Sequence, residues 1–406
     1  MEQLLIQIKE ILPEVINHRR WLHQHAETGF MLPNTLEYVK EQLQKMGYSP
    51  TPCGRCGLIA SVTGTPGKTI LLRADMDALP IQEETGLPFA CQTGNMHACG
   101  HDMHTAMLLG AANLLKKREK DLRGTVKFMF QPAEEILAGA KDMIDHGILQ
   151  QVDAALMLHV AVNTSIPSGT IIVPPQGVSA PAADFFTIKV QGKGCHGSMP
   201  QNGIDALVAA SHILIALENI HARELEGTNP AVLTIGTLSG GSADNAIADQ
   251  ATLKGSLRAI DEETRQFLKN RLETISREIA GALRAKAHVT YTASCPALKN
   301  DRQLRQSFYG YLYNFLGKDQ VLDGEKLTNA MKNHSGGSED FAYVSQKVPS
   351  LMLALAAGSK EEGYVHPLHH PQVNFQEAAM ENGIAALTHI AIKFLSEPSG
   401  SSEQSP

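Results

Sequence analysis

No apolar run in this 406-residue chain approaches the ~20 residues that a membrane-spanning helix needs, so no membrane partner is expected. Cysteine is scarce: six residues, at 53, 56, 91, 99, 195 and 295, are too few and too scattered for a disulfide framework in a chain this long. Neither sign of charge is in large excess. With 35 Lys and Arg against 42 Asp and Glu, the net charge of -7 gives no reason to expect nucleic acid or an anionic surface as partner. The opening residues lack the basic start and apolar core of a signal peptide, and no internal repeat is visible. Those absences leave a cytoplasmic globular protein as the expectation, and the length argues for two domains.

What is present is concentrated in one decapeptide. His97, Cys99, His101, Asp102 and His104 fall within eight residues, immediately before an apolar run, 107–112, that reads as a helix. Thiolate and imidazole are ligands for zinc and its first-row neighbours. A thiol at a helix mouth is expected to lean toward thiolate, because unpaired N–H groups there favour negative charge. A loop of unrelated polar residues is the competing reading, which three histidines and a cysteine so close together disfavour. Cys53 and Cys56 have redox spacing, but no strand-to-helix context that would activate a thiol, so an inert pair is expected.

Hydrophobic periodicity predicts helices at 3–26 and 34–46, strands at 58–62 and 69–72, and a helix after the decapeptide to about 117. A strand at 126–130 ends in Gln131-Pro132-Ala133-Glu134-Glu135; a helix near 138–146 precedes a strand at 154–158 that ends in His159. The alternation argues for an α/β domain with a mainly parallel sheet, and Asp75, Glu134, Glu135 and His159 are expected just past the carboxyl ends of its strands. From 184 to 294 the order becomes β-α-β-β-α-β, a ferredoxin-like α+β module inserted into the first domain, which comprises 1–183 and 295–406. After the module come a helix at 302–316, a Gly-rich loop at 333–340, a strand at 351–356, a second histidine cluster (His366, His369, His370) and a helix at 376–395. Residues 397–406 read as a disordered tail.

Taken singly, Glu134-Glu135 is a surface pair and His159 a core histidine. Beside a metal, the carboxylates divide into a ligand and a general base. Four runs then carry a resemblance: RADMDALPIQEETGLPF at 73–89, MHACGHDMHTA at 96–106, FQPAEE at 130–135 and GGSEDF at 336–341. In order and spacing they resemble the N-acyl-amino-acid amidohydrolases, the branch of the aminoacylase/carboxypeptidase metallopeptidases that includes hippurate and auxin-conjugate hydrolases. The resemblance implies two divalent ions per subunit (zinc or manganese, with cobalt or nickel also admitted) held by Cys99, His101, Glu135, His159 and His369, with His370 as the other candidate for the last place. It implies Glu134 as general base and His196, in the lid, as a donor to the oxyanion that reaches a partner subunit's site, hence a homodimer through the lid domain. Asn245, Arg258 and Gly337 would bind the substrate carboxylate. Where carboxypeptidase relatives carry His-x-Asp, this chain has Asp75-Met76-Asp77, and Ile136 and Leu137 stand where relatives often have glycines.

The function so implied is cleavage of N-acyl amino acids, small-molecule amides, to a carboxylic acid and an amino acid. A dipeptidase or carboxypeptidase using the same site is the near rival, and a catalytically silent metal-bound binding protein the more distant one. A thiol redox protein acting through Cys53 is a third class.

Overall fold

The computed structural model describes residues 2–227, 230–327 and 337–397. The expected tail from 398 on and the first part of the Gly-rich loop lie outside them.

The described chain divides into two compact units. The first comprises residues 1–179, 299–332 and 340–406. It is built on an eight-stranded sheet in the order Thr51–Cys53, Gly57–Thr63, Arg123–Gln131, Thr65–Asp75, Ala154–Ala161, Ser350–Ala356, Ile171–Val173, Val321–Asp323. The four central strands are parallel: Arg123–Gln131 with Thr65–Asp75, that strand with Ala154–Ala161, and that in turn with Ser350–Ala356. Residues 70–75 and 154–158 are buried without a break. That continuous apolar reading is what strands covered on both faces require. Helix His101–Lys116 packs against helices Glu2–Gln24 and Met380–Ser396, and all but two of its sixteen residues are buried.

Two details differ from expectation. His159 lies inside strand Ala154–Ala161, not beyond its end; the strand continues because 159–161 pair with 354–356 of the neighbouring parallel strand. The decapeptide does not merely precede its helix. The helix begins at His101, capped by Gly100 in the left-handed region at φ 86°. A Cβ at Gly100 would lie 2.4 Å from Val160 Cγ2, so glycine is required by space as well as by conformation.

The second unit comprises residues 180–298 and 333–339. Its antiparallel sheet runs Ala231–Gly240, Gln250–Ala259, Ala182–Gln191, Lys286–Cys295, and helices Ala206–Asn219 and Glu262–Ala282 pack against it. Numbered along the chain, that strand order is 2-3-1-4, the ferredoxin-like arrangement. Both helices have aspartate caps: Asp205 accepts from the N–H groups of Leu207 and Val208, and Asp261 from that of Thr264. Inside this unit Asp184 is fully buried and accepts from Arg265 Nε at 2.6 Å and Lys269 Nζ at 3.1 Å, fastening the sheet to its second helix.

Candidate metal and amide-hydrolysis site

At the carboxyl rim of the first unit's sheet, side chains from four segments converge. Cys99, His101 and His159 present ligand atoms within 4.8 Å of one another, as do Cys99, Glu135 and His369, and also His101, Glu134 and Glu135. Cys99 Sγ stands 3.6 Å from His159 Nε2. Glu135 Oε1 is 3.8 Å from His101 Nε2 and 3.7 Å from His369 Nε2. Glu134 Oε2 is 3.9 Å from His101 Nε2.

The imidazoles are held in a form suited to a cation. His101 donates from Nδ1 to the carbonyl of Asp77 at 2.8 Å, and His159 from Nδ1 to the carbonyl of Val160 at 2.7 Å. Each bond fixes the proton on Nδ1 and leaves Nε2 as the ligand atom, the usual support of a metal-binding histidine. Among the described residues His101 Nε2 and Glu135 Oε1 are buried without a well-formed hydrogen bond. Buried polar atoms are rarely left so, and a cation between them would satisfy both. The donor set therefore fits a divalent metal.

His104 illustrates the contrast. It belongs to a further group of three with Asp75 and His101, yet both its nitrogens are engaged: Nδ1 donates to Asp75 Oδ1 at 2.6 Å, and Nε2 accepts the N–H of Val160 at 2.9 Å. Burial lowers its pKa to about 4, so it is a neutral structural bridge. Asp75 also accepts from Arg73 at 2.7 Å. Arg73 in turn reaches Asp340, which receives Gln131 and the N–H of Ala140 as well.

Of the final histidine cluster, His369 faces Glu135 and takes a left-handed backbone at φ 66°. His370 accepts the N–H of Gln372 on Nδ1 and stacks on His366 with ring centroids 4.3 Å apart.

The helix mouth does not make Cys99 a thiolate. Burial pushes the thiol well above its ordinary range, with Glu135 and Glu134 adding to the effect against His101; a thiolate here needs a bound cation. Burial likewise raises Glu135, to about 7, against the pull of His101. Burial opposes charge on His101 too, but Asp75 and its neighbours outweigh it and hold the imidazole above its usual value. These shifts describe donors packed together with no cation to balance them.

Three residues that sequence reasoning did not single out as functional lie in this site. Asp77 is buried and receives the N–H groups of Glu134 and Glu135, while Arg73 and Asp340 tie its floor together. Leu137 adopts φ 55°, which explains why a glycine is at home at that position; here leucine bears the strain. Ile136 is half-exposed and its Cδ1 lies against Gly29.

The remaining candidates belong to the second unit. His196 and Ala246 pair across a two-residue bridge, and Gly197 N–H donates to the carbonyl of Asn245 at 2.7 Å, so His196 and Asn245 are neighbours. His196 Nδ1 accepts from Ser198, through both its N–H at 3.2 Å and its hydroxyl at 2.7 Å. That places the proton on Nε2, exposed and ready to donate. Arg258 donates to Ser338 Oγ at 2.6 Å, and Ser338 to the carbonyl of Pro181 at 2.8 Å. Gly337, next to Ser338, is exposed. Cys53, in the first unit, is buried, its thiol raised by burial and directed at the carbonyl of Met143.

Known proteins extend the picture. The profile of Peptidase family M20/M25/M40 matches residues 71–393. An N-acetyl-L-cysteine deacetylase of Bacillus subtilis (strain 168) is 35% identical over 378 residues, 92% of this chain and 86% of its own length. Thermostable carboxypeptidase 1 of Saccharolobus solfataricus is 34% identical over 403 residues, 97% of this chain and 98% of its own. The crystal structure of the Bacillus subtilis YXEP protein, a dinuclear metal binding peptidase of the same family, is 32% identical. It superposes with a TM-score of 0.77 over 95% of this chain and 99% of that one. Profile, full-length relatives and fold agree on one placement: the chain belongs to Peptidase family M20/M25/M40 and is a metal-dependent hydrolase of amide bonds.

Proposed function

We propose that the chain hydrolyses N-acyl amino acids to a carboxylic acid and an amino acid, using two divalent ions per subunit. The observation that carries this reading is the pair of ligand groups that share Cys99, one completed by His101 and His159, the other by Glu135 and His369. Thiolate with imidazole favours zinc, while the carboxylates admit manganese, cobalt or nickel. Ions bound there would acidify the attacking water and polarise the scissile carbonyl.

The chain's own groups supply the rest. Glu134, buried beside His101, accepts the proton of the attacking water and hands it to the departing nitrogen. His196, with its proton on Nε2, is the donor to the developing oxyanion. Arg258, Asn245 and the backbone at Gly337 are assigned to the product α-carboxylate, for which a guanidinium is the fitting partner. A homodimer through the second unit is part of the same proposal. Its support is the resemblance noted above and the solvent-facing apolar side chains Val208 and Ile215 on helix Ala206–Asn219.

The test is Glu134→Gln, assayed on N-acetyl amino acids with metal content measured in parallel. The expected result is a loss of kcat of at least ~100-fold with the metal retained. Unchanged kcat would remove Glu134 from the base role. Dipeptides cleaved faster than every N-acyl amino acid would favour the carboxypeptidase reading, which the Saccharolobus relative supports.

A further inference from the structure

The second unit's sheet has two unlike faces. Helices Ala206–Asn219 and Glu262–Ala282 pack on one of them, and along strand Ala182–Gln191 residues 184, 186, 188 and 190 are buried toward it. Successive strand residues point to opposite faces, so 185, 187, 189 and 191 belong to the other. Phe185 is 39% exposed there. A single exposed ring needs no explanation by itself; its neighbours give it one.

Arg258 Cζ stands 5.5 Å from the centroid of the Phe185 ring. In the register, Ala183 lies opposite Arg258, Ser256 opposite Phe185, and Ala293 opposite Phe185 on the far side. Directly opposed residues share a face, so guanidinium and ring stand side by side among small side chains that leave the ring uncovered. A register slip in strand Lys286–Cys295, between Tyr291 and Ala293, sets the alanine and not Thr292 beside the ring. Arg258 Nη1 is committed to Ser338 Oγ at 2.6 Å, while its Nε and Nη2 have no partner among the described residues. Two free donors of one guanidinium suit a carboxylate. In an amino acid the side chain begins two bonds from the carboxylate carbon, so a carboxylate on Arg258 brings that side chain close to the neighbouring ring. One charged anchor beside an apolar wall is the usual make-up of a small-molecule subsite.

We infer that Phe185 is a specificity-determining residue: its ring receives the side chain of the amino acid whose α-carboxylate Arg258 holds. It thereby selects substrates in which that side chain is apolar, such as the N-acyl derivatives of leucine, methionine and phenylalanine. The inference rests on the carboxylate role proposed above for Arg258.

The experiment measures kcat and KM for N-acetyl derivatives of glycine, asparagine, leucine, methionine and phenylalanine. Wild type, Phe185→Ser, Phe185→Leu and Arg258→Met are compared at equal metal content. Wild type is expected to favour leucine, methionine and phenylalanine over glycine by at least ~10-fold in kcat/KM, mainly through KM. Asparagine, close to leucine in shape but polar, should gain no such advantage. Phe185→Ser is expected to raise KM for the three apolar substrates ~5–10-fold, and for N-acetylglycine by less than about threefold, the share of the lost contact with Arg258. Phe185→Leu, still apolar, should keep the preference for leucine and methionine. A wild type that treats glycine and leucine alike, or asparagine and leucine alike, overturns the inference. So does a Phe185→Ser that raises KM by one factor for every substrate, as a ring that only braces Arg258 would. Should Phe185→Ser fail to fold, the wild-type panel and Phe185→Leu decide, and loss of the leucine preference in Phe185→Leu sinks the inference. If Arg258→Met leaves KM unchanged throughout, the carboxylate role fails instead and takes the inference with it; wild type inert toward the whole panel removes the proposed activity itself, with the same consequence.

Discussion

Asp102 follows His101 in the chain but answers to other partners. Arg19 Nε and His23 Nδ1 each lie 2.8 Å from its Oδ2, and all three side chains are buried. His23 continues to Glu83 at 3.1 Å, and Arg19 to Glu377 at 3.1 Å. Burial alone would raise the Asp102 carboxyl; Arg19 and the bond from His23 outweigh it and hold the group far below the ordinary carboxylate range. Removing one member of a buried pair leaves the other charge uncompensated, so Asp102→Ala should cost about 3–5 kcal/mol in denaturant unfolding at pH 7. Because the folded pKa is depressed, that stabilisation is complete above the unfolded value near 3.8 and is lost as pH falls through the folded one. Burial lowers the His23 pKa, but its bonds to Asp102 and Glu83 outweigh that and raise it, so the gap between wild type and variant should be widest near pH 5, narrow on the alkaline side as His23 loses its proton, and close below about 4; a gap that stays constant up to pH 8 would contradict it. Residues such as Cys99, Glu134 and His159 were legible because their chemistry clusters in recognisable runs. Asp77, Asp102 and Arg73 were not, because their meaning lies in partners 57, 83 and 267 residues away, which periodicity does not report.

At the scale of elements, long apolar strands and amphipathic helices appear within a few residues of where patterning puts them, as at Arg123–Gln131 and Arg302–Leu316. The strands of the eight-stranded sheet that patterning missed, Thr51–Cys53, Ile171–Val173 and Val321–Asp323, have three residues each. Three residues carry no period; these strands exist because a neighbour offers an edge, as Gly57–Thr63 does for the first. In that hairpin Cys53 and Cys56 flank the turn at Gly54, so their spacing reflects a tight reversal of the chain. The second unit offers an edge of its own: strand Ala231–Gly240 closes one side of the sheet, with Val232 and Leu238 exposed. Exposed edges and apolar helix faces are hazards unless covered. The proposed homodimer would cover both. Ile215→Asp, on a side chain 66% exposed in the described chain, should shift the molecule from dimer to monomer in light scattering while leaving its unfolding transition within about 1 kcal/mol. A dimer of undiminished affinity would place the interface elsewhere.

The whole molecule separates its tasks. Each unit has its own apolar core, one centred on Leu72, Phe128 and Leu353, the other on Ile188, Ile213 and Leu253, so each meets the requirement for cooperative unfolding by itself. Every proposed metal residue belongs to the first unit; His196, Asn245, Arg258 and Gly337 belong to the second. A ligand that binds only folded protein stabilises the unit that holds it, by about 2.7 kcal/mol at a hundred times its dissociation constant. Scanning calorimetry should therefore resolve two transitions, and a chelator should lower one of them by at least ~5 °C while the other stays in place. Restoring zinc or manganese should return it. Glu135→Gln, with a neutral amide in place of a carboxylate in the group shared with Cys99 and His369, should respond less to both treatments. Two transitions that move together on chelation would mean that the ions stabilise both units, and the assignment of every ligand to the first would have to be given up.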